Sequence, residues 1–445
     1  MKRRYFGTDG IRGEYGGAVL TDDFAARLGH AVGLWKSLGR CGAKVIMGRD
    51  TRDSGRPLTR SMAAGLSQAG CQVVDIGVLP TPAVAAYVCG VGADLGVVIT
   101  ASHNPAWYNG IKLFDSMGAK LSDEEEIEIE NLLDGIDGVD TSGAFGGETA
   151  VDSVAVYREL LQTVLPPGSL KDRRIVVDTA NGATFQTTPR TLRRFGAELI
   201  CIGDGPNGQN INRGVGSEYP GELCKKVVEC GADLGIAHDG DGDRLVLCDE
   251  HGKLVDGDVL LCLLALQEKR NGRLSRNTLV ATHQSNMGLD RALKGDGIAV
   301  ARTPVGDRYV WQRMRKGGFN LGGENSGHII FSDANPTGDG LLAALKVLSA
   351  MVERQLPLSA LSRCMKLYPR KVGALSVNEK FPLAEVSSIQ EILGQLELEM
   401  RGRGRVLLRY SGTEPIIRLL VEGNEESLVG QWYRRLEDRV RAALA

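Results

Sequence analysis

Three carboxylates separated by single glycines, Asp239-Gly240-Asp241-Gly242-Asp243, follow the apolar run Leu234–Ala237. Glycines between the acids permit a tight loop, and a tight loop can aim several hard oxygen ligands at one cation. Mg²⁺ suits such a set, because it takes few protein carboxylates and fills its octahedron with water and phosphate oxygens. The same run opens like an EF-hand calcium loop, since the twelfth residue counted from Asp239 is Glu250. The sixth, however, is Arg244, where that loop needs glycine, and both flanks read as strands rather than helices. A merely solvated acidic turn is the plain alternative, and the density of acids argues for a metal site.

A second loop, Thr100-Ala101-Ser102-His103-Asn104-Pro105, also follows a strand-like run. A serine hydroxyl needs help to attack or accept a group, and His103 stands beside it. There is no Gly-x-Ser-x-Gly elbow, so a hydrolase triad is not supported. Downstream, Asn109-Gly110-Ile111-Lys112 supplies a cation able to neutralise phosphate oxygens. A third loop, Gly322-Gly323-Glu324-Asn325-Ser326-Gly327-His328, offers carboxylate, amide, hydroxyl and imidazole together, which suits a polyhydroxylated ligand. Near the end, Arg409-Tyr410-Ser411-Gly412-Thr413-Glu414-Pro415 with Arg418 reads as an anion cradle, two arginines flanking a turn rich in donors. Gly7-Thr8-Asp9-Gly10-Ile11-Arg12-Gly13 places one more arginine on a glycine-rich loop.

These loops need a scaffold, and a near-repeat suggests one. Residues 92–96 and 231–235 both read GADLG, and laid over each other without gaps they set Ser102 opposite Asp241. A shorter echo, GFNLGGENSGH, begins at Gly318. Upstream of each lies a β-branched run (KVIMGRD at 44–50, RIVVD at 174–178, TLVA at 278–281), a helical stretch and a second strand. That order predicts βαβ units and a largely parallel sheet, repeated as duplicated domains, with ligands beyond the carboxyl ends of the strands. Three polar strand-end loops would then face one cleft. Thr21 is expected to cap a helix whose apolar face includes Phe24, Leu28, Val32 and Trp35, and Ser122 with Glu125 to form a capping box. Breaks at 138–147, 249–258 and 365–373 divide the chain into domains at 1–148, 149–253, 254–365 and 366–445, the last a smaller α+β unit.

Composition narrows the function class. With 53 Lys+Arg against 55 Asp+Glu in 445 residues, there is no electrostatic case for a nucleic-acid or membrane-surface partner. The nine cysteines are scattered without a Cys-x-x-Cys pair, which predicts reduced thiols in a cytoplasm. The opening MKRRYFGTDG lacks the apolar stretch of a secretory signal, and apolar runs such as 259–266 are too short to span a bilayer.

Taken in order, TASHNP, DGDGDR, GGENSGH and SGTEP resemble the motif set of the α-D-phosphohexomutase family over essentially the whole chain. The resemblance implies an α/β fold of four domains around a central cleft, the first three sharing a mixed-sheet topology. It implies a phosphoserine at Ser102, whose phosphate joins Asp239, Asp241 and Asp243 around Mg²⁺. Arg12, Lys112 and Arg244 would surround the transferring phosphoryl group, with His103 and His328 assisting proton movement and positioning. Glu324, Asn325 and Ser326 would meet the sugar; Arg409, Ser411, Gly412, Thr413 and Arg418 would grip the non-reacting phosphate. The implied substrate is a small hexose phosphate, with a hexose 1,6-bisphosphate as intermediate and activator, and the implied assembly is a homodimer.

Within the family, FGTDGIRG and residues 305–310 (VGDRYV) are most similar to bacterial members acting on glucosamine phosphates, at the entry to UDP-N-acetylglucosamine and cell-wall synthesis. Two departures bear on the sugar. Asn325 stands where those members commonly carry glutamine, and Ala106-Trp107-Tyr108 replaces a usual Tyr-Tyr-Asp. Mannose and glucose phosphates remain the alternative substrates within the same chemistry. A phosphatase using an aspartate of the DGDGD run, or a calcium-binding module, is the reading from another class.

Overall fold

The structure is a computed structural model that describes residues 3–37, 42–141, 148–149, 153–411 and 415–444. Its described strands form four sheets in chain order. The first holds β1 (Ile11–Glu14), β2 (Lys44–Arg49), β3 (Gln72–Val78), β4 (Leu95–Ile99), β5 (Tyr108–Asp115) and β6 (Glu148–Thr149), ordered β1-β5-β4-β2-β3-β6. The second holds β7 (Arg174–Asp178), β8 (Glu198–Ile202), β9 (Leu234–Ala237), β10 (Val246–Asp249) and β11 (Leu254–Val255), ordered β11-β10-β9-β7-β8. The third holds β12 (Thr278–Thr282), β13 (Ala299–Thr303), β14 (Leu321–Gly323) and β15 (Ile329–Phe331), ordered β13-β12-β14-β15.

The same four-strand module recurs in all three. Two strands flank a central strand, β2, β7 or β12, in parallel, and the later of the two, β4, β9 or β14, turns back into an antiparallel partner. The sheets are mixed, as the resemblance implies: an antiparallel return strand joins the parallel βαβ core, and each of these three loops is the reversal from β4 to β5, β9 to β10, or β14 to β15. Extending the alignment to GFNLG puts His328 opposite Ser102 and Asp241.

Local signals place the helices around the first sheet. Thr21 Oγ1 accepts the amide of Phe24 at 3.1 Å, capping the helix Asp22–Ser37, whose Phe24, Leu28 and Val32 are buried. Each such side chain contributes about 1.5–3 kcal/mol by leaving water. Ser122 and Glu125 make the reciprocal bonds of a capping box on the helix Asp123–Leu133.

The fourth sheet is antiparallel throughout: β16 (Arg370–Ser376), β17 (Gly404–Tyr410) and β18 (Ile416–Gly423), ordered β16-β18-β17. Helices Ser387–Met400 and Glu426–Leu444 cover it through Ile389, Leu396, Trp432 and Leu436. Compactness divides the chain into Met1–Gln284 with Gly297–Cys364, and Ser285–Asp296 with Met365–Ala445. The second unit thus takes in a helix from the middle of the chain: Met287 N donates to Glu422 Oε1 at 3.1 Å, and Arg405 Nη2 to Ser285 O at 2.6 Å. Among the described residues, no helix is long and apolar enough to cross a membrane.

Candidate active site

The Ser102 loop is held from below by two residues that sequence reasoning passed over. Arg52, fully buried against Asp50, donates from Nη2 to Ser102 O at 3.1 Å and Asn104 O at 2.8 Å. Asn212, from the second domain, donates to the same two carbonyls at 2.8 and 2.9 Å. Thr100 Oγ1 donates to Asp50 and accepts the Ser102 amide at 3.0 Å. This fastening holds Ser102 at φ 52, a left-handed conformation that costs a non-glycine residue about 1 kcal/mol or more. Ser102 is buried, its Oγ 2.5 Å from Asp239 Oδ2 and 3.4 Å from His103 Nδ1.

The acidic loop meets it because glycine permits close approach. A Cβ on Gly240 would lie 2.5 Å from Ser102 O, and Gly242 turns at φ 74. Carboxylate oxygens of Asp239, Asp241 and Asp243 lie within 4.8 Å of one another, all three residues buried. Oδ1 of Asp241 and of Asp243 are buried without a hydrogen-bond partner, an arrangement that costs free energy unless a cation meets them. The donor set, three hard oxygens with two unsatisfied, fits a divalent cation such as Mg²⁺. Glu250 belongs elsewhere: its carboxylate accepts from Ser359, and strands flank the loop, so the calcium-module reading falls.

Lys112 on β5 reaches this cluster, its Nζ 2.8 Å from Asp241 Oδ2, 3.1 Å from Asp243 Oδ2 and 3.2 Å from Asp9 Oδ2. Burial opposes its charge, but Asp241, Asp243 and Asp9 outweigh that and hold its pKa well above the usual lysine value. Burial first, and then the neighbouring carboxylates Asp243 and Asp241, push Asp239 well upward. Arg12 on β1 pairs with Asp9 and lies 3.4 Å from Asn104 Oδ1. Arg244 follows the acids directly and reaches Glu218 at 3.4 Å. Burial, then the charge of Arg244, lowers the pKa of His103, which favours its neutral imidazole.

The third loop joins the second through a bridge between Arg244 and His328. His328 Nδ1 is 3.7 Å from Asp243 Oδ2, and its Nε2 lies 3.1 Å from the Gly338 amide and 3.4 Å from Asp307 Oδ2. Glu324 accepts the Gly306 amide at 2.9 Å, and burial, then Asp307, raises its pKa. Asn325 is half-buried and Ser326 exposed at the loop's tip. Beside His103, a cavity of about 960 Å³ runs between the first two domains, lined by Asn104, Trp107, Arg213 and Tyr219. Its volume suits a ligand of sugar-phosphate size or larger.

The cradle lies in the second unit. Arg409 on β17 faces Arg418 on β18 in direct cross-strand register, and both are exposed. Like charges in that position destabilise a sheet, and an anion between them would relieve the repulsion. Partial burial, then Arg418, lowers the pKa of Arg409. Ser411 donates its amide to Ile416 O at 2.8 Å at the start of the turn. Gly412 and Thr413 lie outside the described residues. The first three loops are thus brought together in one unit, and the cradle is built in the other. Missed among the charged groups were Asp9, Lys120 and Asp307; the acid in GTDG and the Gly-Asp-Arg at 306–308 were the available signals.

Four family models match consecutive stretches of the chain. They describe the phosphoglucomutase/phosphomannomutase alpha/beta/alpha domains I (3–139), II (157–252) and III (256–368), and the C-terminal domain (374–439). The chain is 46% identical to a phosphoglucosamine mutase of Phenylobacterium zucineum over 449 residues, covering all of both chains. It is 43% identical to that of Clostridioides difficile over 449 residues, again covering both. Among solved structures, it is similar to a phosphoglucomutase/phosphomannomutase family protein of Burkholderia thailandensis (TM-score 0.78, 24% identity, 99% and 98% covered). It is also similar to Aspergillus fumigatus N-acetylphosphoglucosamine mutase in complex with GlcNAc-6P and magnesium (TM-score 0.67, 18% identity, 100% and 96% covered). At those identities the two structures speak for the fold alone.

Proposed function

The chain belongs to the α-D-phosphohexomutase family, and on that premise we propose that it interconverts glucosamine 6-phosphate and glucosamine 1-phosphate through a phosphorylated Ser102. The observation that carries the reading is the Ser102 hydroxyl, buried in a strained turn 2.5 Å from a carboxylate of the acidic triad. Full-length identity to phosphoglucosamine mutases supports the amino sugar over mannose or glucose.

In the proposed cycle, the anomeric hydroxyl of glucosamine 6-phosphate attacks phosphorus on Ser102. The P–Oγ bond breaks as the new P–O bond forms, and the hydroxyl proton passes to His103. The 1,6-bisphosphate turns over, Ser102 Oγ attacks phosphorus of the 6-phosphate as the P–O6 bond breaks, the proton held by His103 passes to O6, and glucosamine 1-phosphate leaves. Such transfers rest on positioning and charge neutralisation more than on covalent chemistry. Asp239, Asp241 and Asp243 would hold Mg²⁺, which when bound supplies positive charge for phosphate oxygens. Arg12, Lys112 and Arg244 add fixed cations around the same position. Glu324, Asn325 and Ser326 read the sugar, and Arg409, Ser411, Gly412, Thr413 and Arg418 take the distal phosphate. The domain division at 148, 253 and 365 gives each of these loops its own domain.

The test is kcat/KM for glucosamine 6-phosphate against mannose and glucose 6-phosphates, with Mg²⁺ and a trace of hexose 1,6-bisphosphate. A strong preference for the amino sugar is expected. Equal use of the neutral sugars would reassign the substrate, which Asn325 makes the sharpest question. Mass spectrometry separately locates the phosphate: on Ser102 for a mutase, on an aspartate for a phosphatase.

A further inference from the structure

A chain of buried ion pairs runs from the sugar loop to the first domain through one turn that none of the four motifs contains. Gly306, at φ 129, donates its amide to Glu324 Oε1 at 2.9 Å. Its neighbour Asp307 pairs with Lys120, and Lys120 pairs in turn with Asp9. Asp9 is the shared anion of Arg12 and Lys112. Next in sequence, Arg308 clamps Asp123 and Glu126 at the start of the helix Asp123–Leu133, its Nη1 3.0 Å from Glu126 Oε2. The central groups are nearly dry, the side chains of Asp307, Lys120, Arg308 and Glu126 being 12%, 9%, 5% and 4% exposed, whereas Asp9 and Arg12 are each 24% and Asp123 42% exposed.

Buried ion pairs are weak sources of stability, because desolvation offsets most of their attraction. What they do fix is relative position, since charges out of water tolerate little misplacement. We infer that Gly306, Asp307 and Lys120 are positioning residues that register the carboxylate of Glu324 against Arg12 and Lys112. The inference rests on the functional reading above, in which Glu324 meets the sugar and the two cations meet the moving phosphoryl group. It adds that the distance between these sets is held by the Asp307–Lys120 pair. Without Lys120, Asp307 would keep only His328, whose Nε2 lies 3.4 Å from its Oδ2, and both ends of the chain would lose their common anchor.

A double-mutant cycle between Lys120 and Glu324 tests this, because neither side chain touches the other. A purely structural loss lowers the fraction of folded enzyme and multiplies with any other defect. A positioning loss overlaps with the loss of the group positioned. Lys120→Met and Glu324→Gln are each expected to lower kcat/KM for glucosamine 6-phosphate by about tenfold or more. The double variant is expected to lose at least about fivefold less than the product of the two. Multiplicative losses in an active parent enzyme would overturn the positioning role. A parent protein inactive on every hexose 6-phosphate would overturn the functional reading itself. Should Lys120→Met fail to fold, Asp307→Asn keeps the side-chain shape, removes its charge and carries the same cycle.

Discussion

Ser102 is strained, buried and fastened by its own carbonyl, and those facts assign different consequences to different substitutions. Ser102→Ala removes only the hydroxyl and leaves Arg52 and Asn212 on the loop. Turnover should disappear, no phosphate should be found on the loop by mass spectrometry, and sugar-phosphate binding by calorimetry should persist; activity near the parent's would remove Ser102 from the chemistry. Asp241→Asn leaves a neutral amide where Oδ1 now lies unsatisfied. Half-maximal activity should then need more Mg²⁺, by at least the 10- to 100-fold typical of losing an outer-shell partner. An unchanged metal titration would take Asp241 out of the cation site. The serine and the three acids were legible in sequence because each motif is contiguous and unusual in type. Arg52, Asp50 and Asn212 were not, since ordinary polar residues become a cradle only when β2, β4 and the second domain's loop converge.

Strands and helices were legible for a related reason. Each repeat carries its own strand, helix, strand and loop, so local patterning decided element type without reference to the rest of the chain. The antiparallel return strands β5, β10 and β15 were harder, because they follow polar loops and alternate no differently from the parallel ones. At this scale the β17–β18 hairpin makes the clearest prediction. Its cross-strand arginines work against the sheet and in favour of an anion. Arg409→Met should raise KM for glucosamine 6-phosphate about tenfold or more, the loss of one charge-assisted hydrogen bond. In urea unfolding the same variant should match the parent's stability or exceed it by a few tenths of a kcal/mol. A fall in stability with KM unchanged would make the pair structural. By contrast, Ser122→Ala breaks a capping box and should lower stability by about 1 kcal/mol with no change in KM.

Contacts between domains are the layer that sequence patterning reaches least, because their partners are far apart in the chain and many belong to no motif. The Tyr157–Asp339 pair is one such contact. Asp339 caps the helix Gly340–Arg354 through the Leu342 amide at 2.9 Å, accepts from Tyr157 of the second domain at 2.8 Å, and from Asn335 at 3.1 Å. Despite those donors, burial raises its pKa from 3.8 to about 6. Below pH 3.8 the carboxyl is protonated in both folded and unfolded chains, and its favourable contribution is complete. As pH rises toward 6, the unfolded chain releases a proton that the folded one retains, so stability falls across that window and levels off above it. The shift corresponds to about 2–3 kcal/mol. Asp339→Asn cannot titrate, so it carries a constant penalty for the altered cap instead of a pH-dependent one. The parent's stability advantage over this variant, read from urea midpoints between pH 4.5 and 7.5, should shrink as pH rises. A constant difference across that range would mean that Asp339 keeps its ordinary ionisation in the folded protein, and that the contact between second and third domains is made by a carboxylate at every pH tested.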